Sequence, residues 1–248
     1  MKVTIVGIDC ATKSSKVGLA LASMDDSRPR VIKTTTGRGL ESVGELASFI
    51  ASWIPEAGPT LLALDAPLGW PTRLGEMLVH HSAGMPLSTE ADQLFSRCTD
   101  RFVSEEIGKK PLEVGANLIA RTAHAALALL QELCEKKKQS IPLAWNPRIK
   151  EGISAIEVYP AATLEAYGIL ASGYKKKNQE KERREILKAL RKHLVLTDTS
   201  LIESNADVLD AVVCVLAAAD FISGRAIQPP NKELAEKEGW IWVRPKQG

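Results

Sequence analysis

Alternating short apolar runs and longer amphipathic stretches predict a chain of strands followed by helices. Three runs near the start are rich in β-branched residues, and turn-forming residues separate them, as is typical of an antiparallel meander. A helical spacing of apolar positions follows and stops at Pro55. The next apolar run can lie parallel to the first strand because it is reached through a helix. The predicted elements are strands at 3–8, 16–22, 31–35 and 60–64 and a helix at 40–54.

The second half of the chain is mainly helical in pattern. The helix at 205–223 is apolar, with Ser204 or Asn205 as its cap and Gly224 just beyond its end. The order is therefore three strands, a helix, a strand, a helical stretch, a strand and a helix. This order indicates an α/β protein of RNase H-like fold, with a mixed five-stranded sheet flanked by helices in one domain, 1–248. The other predicted elements are an elaborated helical insertion at 68–152 between strands four and five, containing a helix at 114–136, strands at 153–159 and 239–243, and a charged helix at 179–193.

The composition is that of an ordinary globular protein. Of 248 residues, 45% are hydrophobic and 25% are charged, and the net charge is +2. Such a small net charge does not by itself indicate a nucleic-acid partner, so that partner would need a local basic surface. The four scattered cysteines lack CxxC spacing and favour reduced thiols. Without a secretory leader or an apolar run of membrane-spanning length, we expect a cytoplasmic protein with no membrane association.

Acidic residues mark the positions where the predicted strands end. Asp9 ends the first strand and Asp65 ends the fourth, so in a parallel pair both would open at the same edge of the sheet. Asp207 and Asp210 are three apart on the last long helix and share a face, and Glu157 lies in the fifth strand. Grouped carboxylates are tolerable if a divalent cation neutralises them, and Mg²⁺ or Mn²⁺ would suit oxygen ligands. All five acids are therefore candidate catalytic residues, with Asp9, Asp65, Asp207 and Asp210 as metal ligands.

Each acid also has a structural interpretation. Asp9 and Asp65 could belong to turns, and Asp207 lies in a first helical turn, where the macrodipole favours acids. Glu157 could pair with a basic side chain. Asp210 is more informative because it interrupts an otherwise apolar helix beyond the reach of a capping role.

Five linked sequence blocks combine acids with glycines and prolines, and they are Gly7–Ala11, Leu64–Pro71, Arg97–Arg101, Glu157–Ala161 and Asp207–Ala211. Together they resemble a bacterial and archaeal family of unknown function, described as predicted nucleases of RNase H-like fold, and Glu238–Pro245 resembles the family's ending. The pattern is also distantly similar to Holliday-junction resolvases of the RuvC type. That resemblance implies metal-binding acids at Asp9, Asp65, Asp207 and Asp210, although the strand-four acid of those resolvases is typically Glu.

Several basic residues are candidates for contacts with phosphate groups. A nuclease needs cations facing the phosphates of its substrate. The densest basic stretch begins at 175–177, but its interleaved glutamates favour a solvated helix. The candidate substrate-binding residues are Lys13, Arg97, Arg101 and Arg121.

Three functions are compatible with these patterns. The first is a Mg²⁺- or Mn²⁺-dependent nuclease that hydrolyses phosphodiester bonds of DNA or RNA. The second is a phosphotransferase or ATPase of the actin and sugar-kinase superfamily, whose first phosphate loop the segment Gly7–Gly18 resembles. The third is a non-catalytic nucleic-acid-binding module. A homodimer remains open, as does the role of the insertion as lid, dimer surface or substrate platform.

Overall fold

A mixed β-sheet forms the centre of the computed structural model, which describes residues 2–25, 28–115, 117–169, 172–176 and 178–246. The described residues form six strands in the spatial order β5-β4-β1-β2-β3-β6. The first three strands pair antiparallel, whereas β4 is parallel to β1 and β5 is parallel to β4. The strands are β1 (Val3–Asp9), β2 (Gly18–Met24), β3 (Arg30–Thr36), β4 (Thr60–Asp65), β5 (Ile153–Glu157) and β6 (Val195–Leu196).

Helices cover both faces of this sheet. On one face, α1 and α5 pack against Val6 and Ile8 of β1. On the other face, α9 packs against Ile5, so successive residues of β1 alternate between the two cores. The helices are α1 (Val43–Ala51), α2 (Thr72–Leu78), α3 (Ala91–Phe95), α4 (Cys98–Ile107), α5 (Asn117–Lys137), α6 (Pro160–Ala166), α7 (Glu180–Leu190), α8 (Ser200–Ser204), α9 (Ala206–Ile222) and α10 (Lys232–Glu238).

Two glycines let α9 approach the sheet at backbone distance. A Cβ added to Gly7 would lie 2.0 Å from the carbonyl oxygen of Ala211, and one added to Gly18 would lie 2.1 Å from that of Asp207. Neither distance leaves room for a side chain. The first turns of α9 therefore rest directly on β1 and β2, and this contact determines where the acids of α9 emerge.

The predicted cap of α9 is confirmed. The side chain of Asn205 accepts hydrogen bonds from the backbone N–H groups of Asp207 and Val208. At the other end, Gly224 follows the helix with a φ of +69°. The helix is apolar on all sides because the sheet covers one side and α6 and α8 pack on the others.

The topology is RNase H-like, as expected: a three-stranded meander, a helix, and two further strands added parallel to β1. Between β4 and β5 lies the helical insertion, which contains α2, α3, α4 and α5. None of the described helices is long and apolar enough to cross a membrane.

The predicted number of strands was wrong by one. The short strand β6 was missed, and it pairs parallel with the start of β3. The predicted late strand at 239–243 is reduced to a single bridge between Glu157 and Ile241. The N–H of Trp242 donates to the carbonyl oxygen of Glu157 at 3.0 Å and makes this bridge. The N–H of Ile241 donates to Thr99 Oγ1 of α4 at 2.8 Å, so this segment also contacts the insertion.

Candidate metal centre

Three carboxylates converge at the carboxyl edge of the sheet. Asp9 and Asp65 are direct register partners on the parallel strands β1 and β4. Both belong to the alternate set of residues that faces α9, and Asp210 projects from the second turn of that helix. One oxygen from each of the three side chains lies within 4.8 Å of the other two. The sequence pattern anticipated this convergence, and the register of β1 with β4 produces it.

Burial raises the pKa of all three groups, and neighbouring acids add to the effect. Desolvation raises the pKa of Asp9 well above its ordinary value, and the charges of Asp65 and Asp210 add to the effect. Burial, followed by the charge of Asp210, raises the pKa of Asp65 to about 7. Burial also raises the pKa of Asp210, against the opposing effect of Lys175. The site therefore holds more negative charge than its protein surroundings neutralise.

Asp210 is the acid with direct partners. Tyr174 donates its hydroxyl hydrogen bond to Oδ1 at 2.6 Å, and the Lys175 ammonium lies 2.5 Å from Oδ2. The Asp210 side chain is 1% exposed, whereas that of Lys175 is 57% exposed and reaches in from the surface. The tyrosine fixes the carboxylate's orientation, and the lysine offsets part of its charge.

This donor set fits a divalent cation. Three carboxylates face one ammonium, so two negative charges remain when all three acids are ionised. All the contributed atoms are oxygens, which Mg²⁺ and Mn²⁺ prefer. Asp9, Asp65 and Asp210 are the residues that would hold the ion.

Asp9 and Asp65 line an open cleft of about 560 Å³, together with Tyr174 and Lys175, the two partners of Asp210. One wall combines Pro111 and Leu112 with Ile119 from the start of α5. Lys109, from the same insertion, and Lys176 bring positive charge to the cleft. The cleft thus combines an acidic floor with apolar and basic walls.

Glu157 does not join the three aspartates. It pairs with Leu64, one residue before Asp65, so the two-residue period of the strand turns it to the opposite face. There it accepts hydrogen bonds from Arg97 at 2.7 and 2.9 Å and from the N–H of Leu68 at 3.0 Å. Glu157 therefore pairs with a basic side chain, Arg97, as its structural interpretation expected.

Arg97 has no free face for a substrate phosphate. Its side chain is 1% exposed, and its guanidinium also contacts Asp100 at 2.8 and 3.0 Å and the carbonyl oxygen of Glu238 at 3.2 Å. Arg97, which was predicted to bind substrate, is therefore buried in a network of ion pairs and hydrogen bonds within the protein. This network joins α4 of the insertion to β5 and to the end of α10.

The remaining predicted residues lie around the triad rather than in it. Asp207 is partly buried one turn before Asp210, and its oxygens are not part of the close group. Lys13 lines a separate groove between α1, α5 and the loop after β1. Arg101 donates to the carbonyl oxygen of Ser96 at 2.5 Å, and Arg121 is exposed on α5 outside the residues that line the acidic cleft.

The contacts of Tyr174 and Lys175 with Asp210 were not predicted from the sequence. Lys175 begins a basic run, and such runs usually lie on solvated surfaces; Lys177 of the same run lies outside the described residues. The available signal was Gly173-Tyr174, an aromatic residue between a glycine and several lysines. Only the folded chain reveals that this segment crosses the mouth of the acidic site.

Comparisons with known proteins place the chain in a family but do not assign an activity. No curated protein matches the sequence. Among solved structures, T. thermophilus RuvC in complex with a Holliday junction substrate is similar, with a TM-score of 0.38 and 11% identity, over 90% of this chain and 95% of that chain. A likeness of this strength carries neither mechanism nor substrate. The model of the family described as "protein of unknown function (DUF429)" matches residues 7–235. The chain therefore belongs to the DUF429 family.

Proposed function

We propose that this protein is a divalent-metal-dependent nuclease that hydrolyses phosphodiester bonds of DNA or RNA. The observation that carries the proposal is the convergence of Asp9, Asp65 and Asp210 within 4.8 Å, beside an open cleft that Asp9 and Asp65 line. Burial raises the pKa of all three carboxylates, and a buried group of acids is costly to retain without a cation. Mg²⁺ and Mn²⁺ are the proposed ions.

When bound, the cation would supply Lewis acidity toward a phosphate oxygen and lower the pKa of a water molecule. The protein's own contribution is the position of its ligands. Tyr174 donates to Oδ1 of Asp210 at 2.6 Å and so orients this carboxylate, which with Asp9 and Asp65 would hold the cation. Lys175 contacts Oδ2 of Asp210 and also lines the cleft, where its ammonium would face a phosphate.

The walls of the cleft fit a nucleic-acid strand. Lys109 and Lys176 are exposed and would face backbone phosphates. Leu112, which is 67% exposed, and Ile119 provide an apolar surface for sugars or unstacked bases. A strand lying in the cleft would present its phosphates to the acidic floor and to these lysines at the same time.

The phosphotransferase alternative has less support. Its main signal was the likeness of Gly7–Gly18 to a phosphate loop, and both glycines are explained by the backbone contacts of α9. Proteins of that superfamily use two copies of the fold, and the described residues form one sheet. ATP hydrolysis nevertheless belongs in the test as a competing outcome.

The test is incubation of the purified chain with branched, single-stranded and duplex DNA and with RNA, in Mg²⁺, Mn²⁺ or EDTA. We expect metal-dependent cleavage that Asp9→Asn and Asp210→Asn abolish. Asp207→Asn is the matched control because it changes the same charge one turn away on α9. Undiminished cleavage by Asp9→Asn would refute the assignment of that residue. Hydrolysis of ATP without cleavage of any nucleic acid would refute the proposed function.

A further inference from the structure

A basic pocket lies at the opposite end of the sheet from the acidic cleft. Its walls come from the end of β2, the start of β3 and the end of α9, and it encloses about 640 Å³. Asp210 and Ser223 mark the two sites on α9 and are separated by thirteen residues, or roughly 20 Å of helix. The pocket therefore belongs to a separate site.

The charge of this pocket is strongly one-sided. Five of the lining residues are arginines or lysines, and none of the described lining residues is acidic. The chain as a whole has a net charge of only +2, so this concentration is local. A group of cations that outnumbers its neighbouring acids favours an anionic ligand. The charged lining residues are Arg28, Arg30, Lys192, Arg225 and Arg244, with His193 beside them.

A buried network supports the arginines at the back of the pocket. Asp220 is 1% exposed. The Tyr167 hydroxyl donates to its carboxylate, 2.9 and 3.0 Å from the two oxygens, and Arg225 Nε donates to it at 2.9 Å. The Arg244 guanidinium lies over the Tyr167 ring, 4.5 Å from its centroid. Arg244 and Arg225 are thus positioned by contacts on their inner sides.

One polar atom at this site has no partner. Nε of Arg244 is buried and makes no hydrogen bond within the described part of the chain. An unpaired buried N–H is costly. Because this atom has no contact with solvent, a ligand in the pocket would meet the terminal N–H groups of the Arg244 guanidinium. Arginine forks suit phosphate because they donate two parallel hydrogen bonds to it.

From these features we propose that the pocket binds a small phosphorylated molecule of nucleotide size. Its volume lies within the range of about 300–1,000 Å³ that is typical of small-molecule sites. Its floor includes Met24, Leu216 and Ala219, which would contact the ligand's apolar part, while the arginines hold its phosphates. The concave shape and the distance from the acidic cleft favour a small ligand over a nucleic-acid backbone.

Binding is tested by isothermal titration of the full chain with inorganic pyrophosphate, with ATP and with a short single-stranded oligonucleotide, all in EDTA. The double variant Arg30→Gln/Lys192→Gln removes two exposed cations of the pocket. Lys33→Gln is the matched control, since Lys33 is exposed on the same strand but lines a different surface. Thermal melting verifies that each variant is folded.

We expect pyrophosphate and ATP to bind the wild type, the double variant to weaken both by at least about tenfold, and Lys33→Gln to leave both unchanged. Asp9→Asn should bind them like the wild type, which separates this site from the proposed metal centre. Absence of phosphate binding, or equal binding by the double variant, would overturn the proposal. Binding of the oligonucleotide alone would also overturn it, because the pocket would then serve a nucleic-acid backbone.

Discussion

Replacing Arg97 by methionine should strongly destabilise the protein. The side chain forms five hydrogen bonds: two to Asp100, two to Glu157 and one to the Glu238 carbonyl. Asp100 is 4% exposed and Glu157 is 3% exposed, so the variant leaves two carboxylates without their cation in the interior. Removing one member of a buried ion pair costs about 3–5 kcal/mol, which lowers the melting temperature of a chain of this size by about 6–20 °C.

The effect should depend on pH with a defined sign. Burial raises the pKa of Glu157 even though Arg97 opposes it, so without Arg97 this pKa rises further. A folded-state pKa above the unfolded value of 4.5 means that the folded state binds the proton more tightly. Stability of Arg97→Met should therefore fall as pH rises above about 4.5. The loss relative to the wild type should be larger at pH 8 than at pH 5.

A double-mutant cycle measured by denaturant unfolding tests this reasoning. Arg97→Met, Glu157→Gln and the double variant should show a coupling of about 1–3 kcal/mol, because Gln removes the charge that Arg97 no longer pairs. If Arg97→Met unfolds within about 1 kcal/mol of the wild type but binds nucleic acid more weakly, the structural role is wrong. The substrate contact predicted from sequence would then be correct.

Three further predictions concern the triad. Gly7→Ala should lower both the melting temperature and Mn²⁺ affinity because the added Cβ would lie 2.0 Å from Ala211 O, while Gly75→Ala, with open space around it, should be neutral in both titration and melting. Without metal, Asp65→Asn should have a higher melting temperature than the wild type at pH 8. The gain in the free energy of unfolding should be on the order of 1–4 kcal/mol. Since the folded pKa of Asp65 is about 7 against 3.8, wild-type stability falls as pH rises through that window, and the gain should vanish toward pH 4. Saturating Mn²⁺ at about 100 times Kd should stabilise the wild type by about 2.7 kcal/mol and leave Asp65→Asn unchanged in melting experiments.

Local patterns were sufficient to predict the framework of the fold. The β-branched runs indicated the meander, and Asn205 and Gly224 marked the ends of α9 because capping depends on adjacent residues. The position of Asp210 in an apolar helix was equally readable, since a carboxylate there requires a specific partner. These features depend on short-range chemistry that the sequence displays directly.

Several features that depend on long-range contacts could not be predicted. The face on which Glu157 lies follows from the register of β5 with β4, which no local pattern specifies. The burial of Arg97 requires the insertion and the end of α10 to close over it. Lys175 resembled a solvated lysine until the fold brought it to Asp210. In each case a charged residue of a type that usually lies on the surface contacts a segment that is distant in the sequence.

Asp9, Asp65 and Asp210 together should hold a divalent cation, and calorimetric titration of the metal-free protein with Mn²⁺ measures that binding. We predict saturable binding by the wild type, a loss of at least about tenfold in affinity for Asp210→Asn, and near-wild-type binding by Asp207→Asn. Equal Mn²⁺ affinity of Asp210→Asn and the wild type, or no binding by the wild type, would contradict the account.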